Sequence, residues 1–185
     1  MIPLDSGFAT VEPKEPAQYS KPPAGGCPLI VVTVSEKPSQ AGNDMVTLGL
    51  DIASGPFEGA FEKFPKKFFQ LINGDQQAYF KHMMKCFKES NPPEKMAQVI
   101  TKQRDESLVF DPNKLFGCVI GGNLREAEYI DSRGELCLGI EVGALCSIKD
   151  IDKVSIMPVK KLKPRQSHSV QSNQAASEDS GDLPF

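Results

Sequence analysis

The stretch MVTLGLDI, Met45–Ile52, alternates without a break. Val46, Leu48, Leu50 and Ile52 share one parity, and Thr47, Gly49 and Asp51 share the other. A period of two marks a strand with one buried face. Upstream, PLIVVTV (Pro28–Val34) is rich in β-branched residues and reads as another strand, set apart by the turn-forming SEKPSQAGND. Pro28 has no N–H for a ladder, so it marks that strand's start or an edge position. Downstream, SGPFEG is a turn, and the short GAFEKF (Gly59–Phe64) is expected to form a third strand.

A helix is predicted next. In DQQAYFKHMMKCFKES (Asp75–Ser90), Phe80, Met83, Met84 and Phe87 recur at helical spacing. Asp75 is the expected N-cap, and Asn91-Pro92-Pro93 the stop. Residues 94–107 follow no clear period. KLFGCVIGG (Lys114–Gly122) returns to strand character. LREAEYI, the turn DSRG and ELCLGIEVGALCSI then read as a hairpin, with Leu136, Leu138, Ile140 and Val142 alternating against Cys137, Gly139 and Glu141. Gly49 and Gly139 sit midway along two strands on the parity opposite the core. Strands that coil sharply to close a small barrel use such glycines. A base approaching the backbone would use them too.

The 185 residues accommodate one domain with extensions. Residues 1–24 carry Pro3, Pro13, Pro16, Pro22 and Pro23 and are expected to form an extended arm. Residues 25–160 form the body. Residues 161–185 are expected to be a disordered tail, because from Arg165 to Leu183 there is almost nothing large and apolar to bury. The five cysteines, Cys27, Cys86, Cys118, Cys137 and Cys146, show no CxxC spacing and read as small buried hydrophobes in a reducing compartment. No run of 18 apolar residues occurs, and the first residues lack a basic region followed by an apolar one. The expectation is no membrane span and a cytoplasmic location. Net charge is −3, and Glu178, Asp179 and Asp182 account for all of it. The remainder is formally neutral and can carry a basic face.

Strand, strand, strand, helix, strand, strand is the order of the OB-fold, a mainly β five-stranded barrel with one helix after the third strand. Five segments in order, PPAGGCPLIVVTVSEK, GLDIASGPFEGAF, YFKHMMKCFKESNPPEK, KLFGCVIGGNLREAEYIDSRGEL and CSIKDIDKVSIMPVKKL, resemble phage and prophage single-stranded DNA-binding proteins, across residues 19–162. Cys27-Pro28 and FPKKFF (Phe64–Phe69) depart from that pattern, the latter where a tryptophan would be unsurprising, and the chain has no tryptophan. The final residues, Asp182, Leu183, Pro184 and Phe185, are similar to the acidic tip of bacterial single-stranded DNA-binding proteins, with Gly181 replacing one acid. That likeness implies recruitment of host or phage replication and recombination proteins. The chemistry fits such a role. Phe185 offers a ring for a pocket, its carboxylate meets a basic rim, and Pro184 lowers the ordering cost.

Binding single strands requires lysines or arginines for phosphates and exposed aromatics for bases. FEKFPKK interleaves Phe61 and Phe64 with Lys63, Lys66 and Lys67, the first candidate group. Both phenylalanines would equally suit a core. Arg125 and Tyr129, in the hairpin with Arg133, form a second group. Lys160 and Lys161, followed by Lys163 and Arg165, form a third, which would extend a groove, hold the acidic tip against the body, or serve as a basic linker. Lys81, Lys85 and Lys88 line the outer face of the helix, as solvated lysines commonly do. The chain contains neither GxxxxGK[ST] nor HExxH, and its two histidines, His82 and His168, have no nucleophile pattern around them. No enzyme activity, metal or cofactor is expected. The sequence reads as a nonspecific single-stranded DNA-binding protein of a phage or mobile element, in a bacterial cytoplasm, with self-association open. A protein-binding adaptor and an annealing or recombination mediator on the same scaffold are the alternatives.

Overall fold

A computed structural model describes residues 21–162. In chain order the elements are β1 (Gly25–Glu36), β2 (Met45–Ile52), β3 (Lys66–Leu71), α1 (Gln77–Ser90), α2 (Pro93–Met96), β4 (Ile100–Lys102), β5 (Leu108–Phe110), β6 (Val119–Ile130) and β7 (Leu136–Cys146). Five strands make one antiparallel sheet in the order β3-β2-β1-β6-β7. Its end strands β3 and β7 come together, so the sheet curls into a nearly closed barrel of the OB type. The helix α1 follows β3, as the sequence order requires.

The alternation in β2 sets the core. Val46, Leu48, Leu50 and Ile52 are all buried, and they meet Phe80, Met83, Met84 and Phe87 of α1. Burying a side chain of this size stabilises the fold by roughly 1.5–3 kcal/mol. The side chain of Asn91 fixes the far end of the helix to the barrel. Its Nδ2 donates to the carbonyls of Phe87 and Val119, and its Oδ1 accepts the Val119 N–H at 2.9 Å. Phe80 packs edge-on to Phe110, which ties α1 to the separate β4–β5 hairpin. That hairpin occupies most of the stretch whose sequence showed no period.

Two bulges bend the sheet. Val31 pairs with Leu50 and Thr33 with Gly49, leaving Val32 unmatched in β1. Asn123 pairs with Ala144 and Leu124 with Val142, leaving Gly143 unmatched in β7. Both expected glycines face crowded space. A Cβ on Gly49 would strike the Thr33 hydroxyl beside the first bulge, in keeping with tight coiling there. On Gly139, a Cβ would lie 3.1 Å from the ring of Tyr129, which fills the gap across the ladder.

Two local expectations are corrected. Gly59–Phe64 is not a strand. The N–H groups of Glu58, Ala60, Glu62 and Phe64 donate to the carbonyls of Gly55, Phe57, Gly59 and Phe61, giving successive turns. The buried carboxylate of Asp51 also accepts the Phe61 N–H at 2.8 Å, a donor that a ladder would have used. Pro65 ends the turns, and β3 begins at Lys66. Nor does Asp75 cap the helix. Gly74, at φ +66°, opens a 3₁₀ turn over Gly74–Gln76, which places Asp75 inside the turn and Gln76 at the cap position with no side-chain hydrogen bond.

Candidate nucleic-acid interface

The sequence-derived candidates fall into two places. The first is β3 with the loop leading into it. Phe61 lies in the core at 6% exposure, so it is no stacking platform. The turns from Gly55 to Phe64 give the opposite orientation to Phe64, which is 82% exposed. Lys63 is exposed beside it. Lys66 turns back, with its Nζ 4.9 Å from the centre of the Phe61 ring. These residues, together with Lys21 and Pro22, line a groove of about 640 Å³.

The alternation of β3 carries this surface further. Phe68 pairs with Leu48 and packs against the core, whereas Lys67 pairs with Gly49 and Phe69 with Thr47 on the outer face. Phe69 is 58% exposed. It was not singled out in the sequence, yet the signal was there: in KKFFQL the two phenylalanines must point opposite ways, and only one can reach the core. Among the described residues, Lys63, Lys66 and Lys67 have no carboxylate within ion-pair distance. These three lysines border two exposed aromatic rings, with the carboxylate of Glu62 on the same groove.

The second place is the β6–β7 hairpin, and its cations are already partnered. Arg125 Nη2 lies 2.6 Å from Glu141 Oε1, and Lys160 Nζ lies 2.9 Å from Glu141 Oε2. Lys161 Nζ lies 2.6 Å from Glu128 Oε1. The backbone reinforces the arrangement: Lys160 N–H donates to the Glu126 carbonyl, Glu128 N–H donates to the Lys160 carbonyl, and Leu162 N–H donates to Glu128 Oε2. Residues 160–162 are thus strapped along the edge of β6 that β1 leaves uncovered. Partial burial pushes the Glu141 carboxyl up, but hydrogen bonds from Lys160 and Arg125 outweigh it and hold it below its usual value. Hydrogen bonds from Lys161 and from Leu162 lower Glu128 likewise. Tyr129 is half exposed but lies against Gly139. Arg133 is paired with Asp131 and Glu135 in the turn.

Lys81, Lys85 and Lys88 are exposed on the outer side of α1, with Lys85 near Glu89. Burial, with Cys146 nearby, pushes the Cys27 thiol up to about 11, and burial also raises Cys86, Cys118 and Cys146. Such thiols are weak nucleophiles at neutral pH. Among the described residues, no helix is long and apolar enough to cross a membrane. Asp182, Leu183, Pro184 and Phe185, like Lys163 and Arg165, lie outside the described residues. Compared with known proteins, the chain matches no family model and no curated protein.

Proposed function

We propose that this chain is a sequence-nonspecific single-stranded DNA-binding protein of a phage or mobile element, acting in a bacterial cytoplasm without catalysis. The observation that carries the reading is that exposed Phe64 shares a groove with Lys63 and Lys66, and exposed Phe69 shares the outer face of β3 with Lys67. The rings stack on bases, which every base permits, and the lysines meet phosphates, which every nucleotide supplies. Neither contact reads sequence. The barrel supports both by fixing β3 against β2, with Phe61 buried and Phe68 packed against the core beneath it.

Recruitment of replication or recombination proteins is assigned to Asp182–Phe185, on the chemistry of that tip and its likeness to bacterial counterparts. Affinity for labelled oligothymidine, measured by fluorescence anisotropy over a salt series with duplex as competitor, tests the whole reading. The full chain and a form lacking Leu183–Phe185 are compared. The expected result is salt-dependent binding of single strands by both, with duplex a poor competitor. Absence of binding by either form at low salt would overturn the assignment and leave the tip as the bait of a protein adaptor.

A further inference from the structure

We propose that two copies of this chain join edge to edge through β7, making one continuous sheet across a two-fold axis. The inference stands on the hairpin alone and does not depend on what the barrel binds. Strand β7 is the last in the sheet and pairs only with β6; β3 approaches it to close the barrel but forms no ladder with it. Among the described residues, its other edge donates and accepts no backbone hydrogen bond. The bulge at Gly143 divides the strand. Leu145 on one side of it and Ile140 and Val142 on the other are buried in the barrel; Leu136–Gly139, further out, keep a regular register with Ala127–Ile130.

That outer ribbon is apolar where it leaves the barrel. Leu136 is 62% exposed and Leu138 is 49% exposed, on the same face as Ile130 at 54%. A strand meant to remain alone carries proline, lysine or an uncompensated charge on its edge. From Leu136 to Cys146 there is no proline and no lysine, and the one charge, Glu141, is held by Arg125 and Lys160. The neighbouring carboxylates are compensated too: Glu126 by Lys21, Glu128 by Lys161 and Glu135 by Arg133. Two hairpins can therefore approach without like-charge repulsion.

Shape also selects a register. An antiparallel pair centred on Cys137 sets Leu136 opposite Leu138 of the second copy, twice, and Glu135 opposite Gly139. Because an edge-paired two-fold lies perpendicular to the sheet, the exposed leucines and Ile130 of both copies merge into one strip on one face.

Light scattering on the full chain over a concentration series is the test, together with thiol cross-linking by a short bis-maleimide. The expected result is twice the chain mass at high concentration and a cross-linked pair that disappears in Cys137→Ser. Leu138→Lys is expected to raise the dimer dissociation constant on the order of a hundredfold. If Leu138→Lys does not fold, Leu136→Lys and cross-linking of the unmodified chain carry the same test. A monomer at every concentration overturns the proposal, as does a dimer that neither substitution weakens. If the chain is monomeric and Leu138→Lys instead alters oligothymidine affinity, the strip is a nucleic-acid wall and the dimer is excluded.

Discussion

Two regions of this barrel carry lysine and arginine beside aromatic rings, and they are electrostatic opposites. Around β3, Lys63, Lys66 and Lys67 have no carboxylate partner among the described residues. On the β6–β7 hairpin, Arg125, Lys160 and Lys161 are each within 2.9 Å of a glutamate oxygen. The first set is left for an external anion. The second has its anions already, and releasing a cation there leaves a glutamate behind. A count of basic residues treats these sets alike, whereas phosphate binding responds to the charge left over after internal pairing.

The largest expected effect separates two phenylalanines three residues apart. Phe61→Ala removes a buried ring from beneath β3 and is expected to cost about 3–5 kcal/mol of stability, read as a fall in the thermal or urea midpoint. Phe64→Ala removes an exposed ring and is expected to leave that midpoint nearly unchanged. Equal stability losses at the two positions would erase the distinction between floor and surface.

Binding then distinguishes the surface rings from everything else. Phe64→Ala and Phe69→Ala are each expected to weaken oligothymidine binding by about 1–3 kcal/mol, as removal of a stacking partner does. Tyr129→Ala is expected to change it far less, because that ring is committed to Gly139. A larger loss at Tyr129 than at Phe69 would move the interface to the hairpin.

The salt dependence addresses the comparison itself. Each of Lys63→Ala and Lys67→Ala is expected to reduce the slope of log affinity against log salt by about 0.7, the value for one phosphate contact on a single strand. Arg125→Ala and Lys161→Ala are expected to leave the slope unchanged within error. A slope change at Arg125 equal to that at Lys67 would mean that DNA displaces Glu141, and the two regions would then act as one site.

The fold was largely legible because its decisive signals are local. The parity of Met45–Ile52 and the spacing of Phe80, Met83, Met84 and Phe87 need no partner to be read. The third strand was misplaced because Phe61 and Phe64, three apart, match a turn as well as they match interleaving with lysines. What settles the matter is the carboxylate of Asp51, ten residues earlier. The internal pairing of the hairpin cations was hidden for a related reason. Arg125 and Glu141 lie 16 residues apart, and Lys161 and Glu128 lie 33 apart, so the neutralising anions are supplied by topology. Phe69 went unremarked because its neighbour Phe68 is equally apolar, and only the pleat tells them apart.

The smallest expected effect concerns the strap, and its sign follows from the two glutamates. Hydrogen bonds from Lys161 and Leu162 lower Glu128, while at Glu141 burial is outweighed by Lys160 and Arg125, so both carboxyls fall below 4.5. A group with a depressed folded value contributes stability that is fully present above its unfolded value and is lost as pH falls through the folded one. The strap should therefore hold at neutral pH and loosen only below 4.5. Since Leu162 N–H donates directly to Glu128 at 3.1 Å, its amide resonance reports that carboxyl. An NMR titration from neutral to acid pH is expected to move the Leu162 amide with a midpoint under 4.5, and Lys160→Ala is expected to raise the midpoint of Glu141 toward its usual value. A Leu162 midpoint at or above 4.5 would mean that Glu128 is not paired. Lys161 would then join Lys63 and Lys67 as a cation available to phosphate, and the contrast between the two regions would narrow to Arg125 and Lys160.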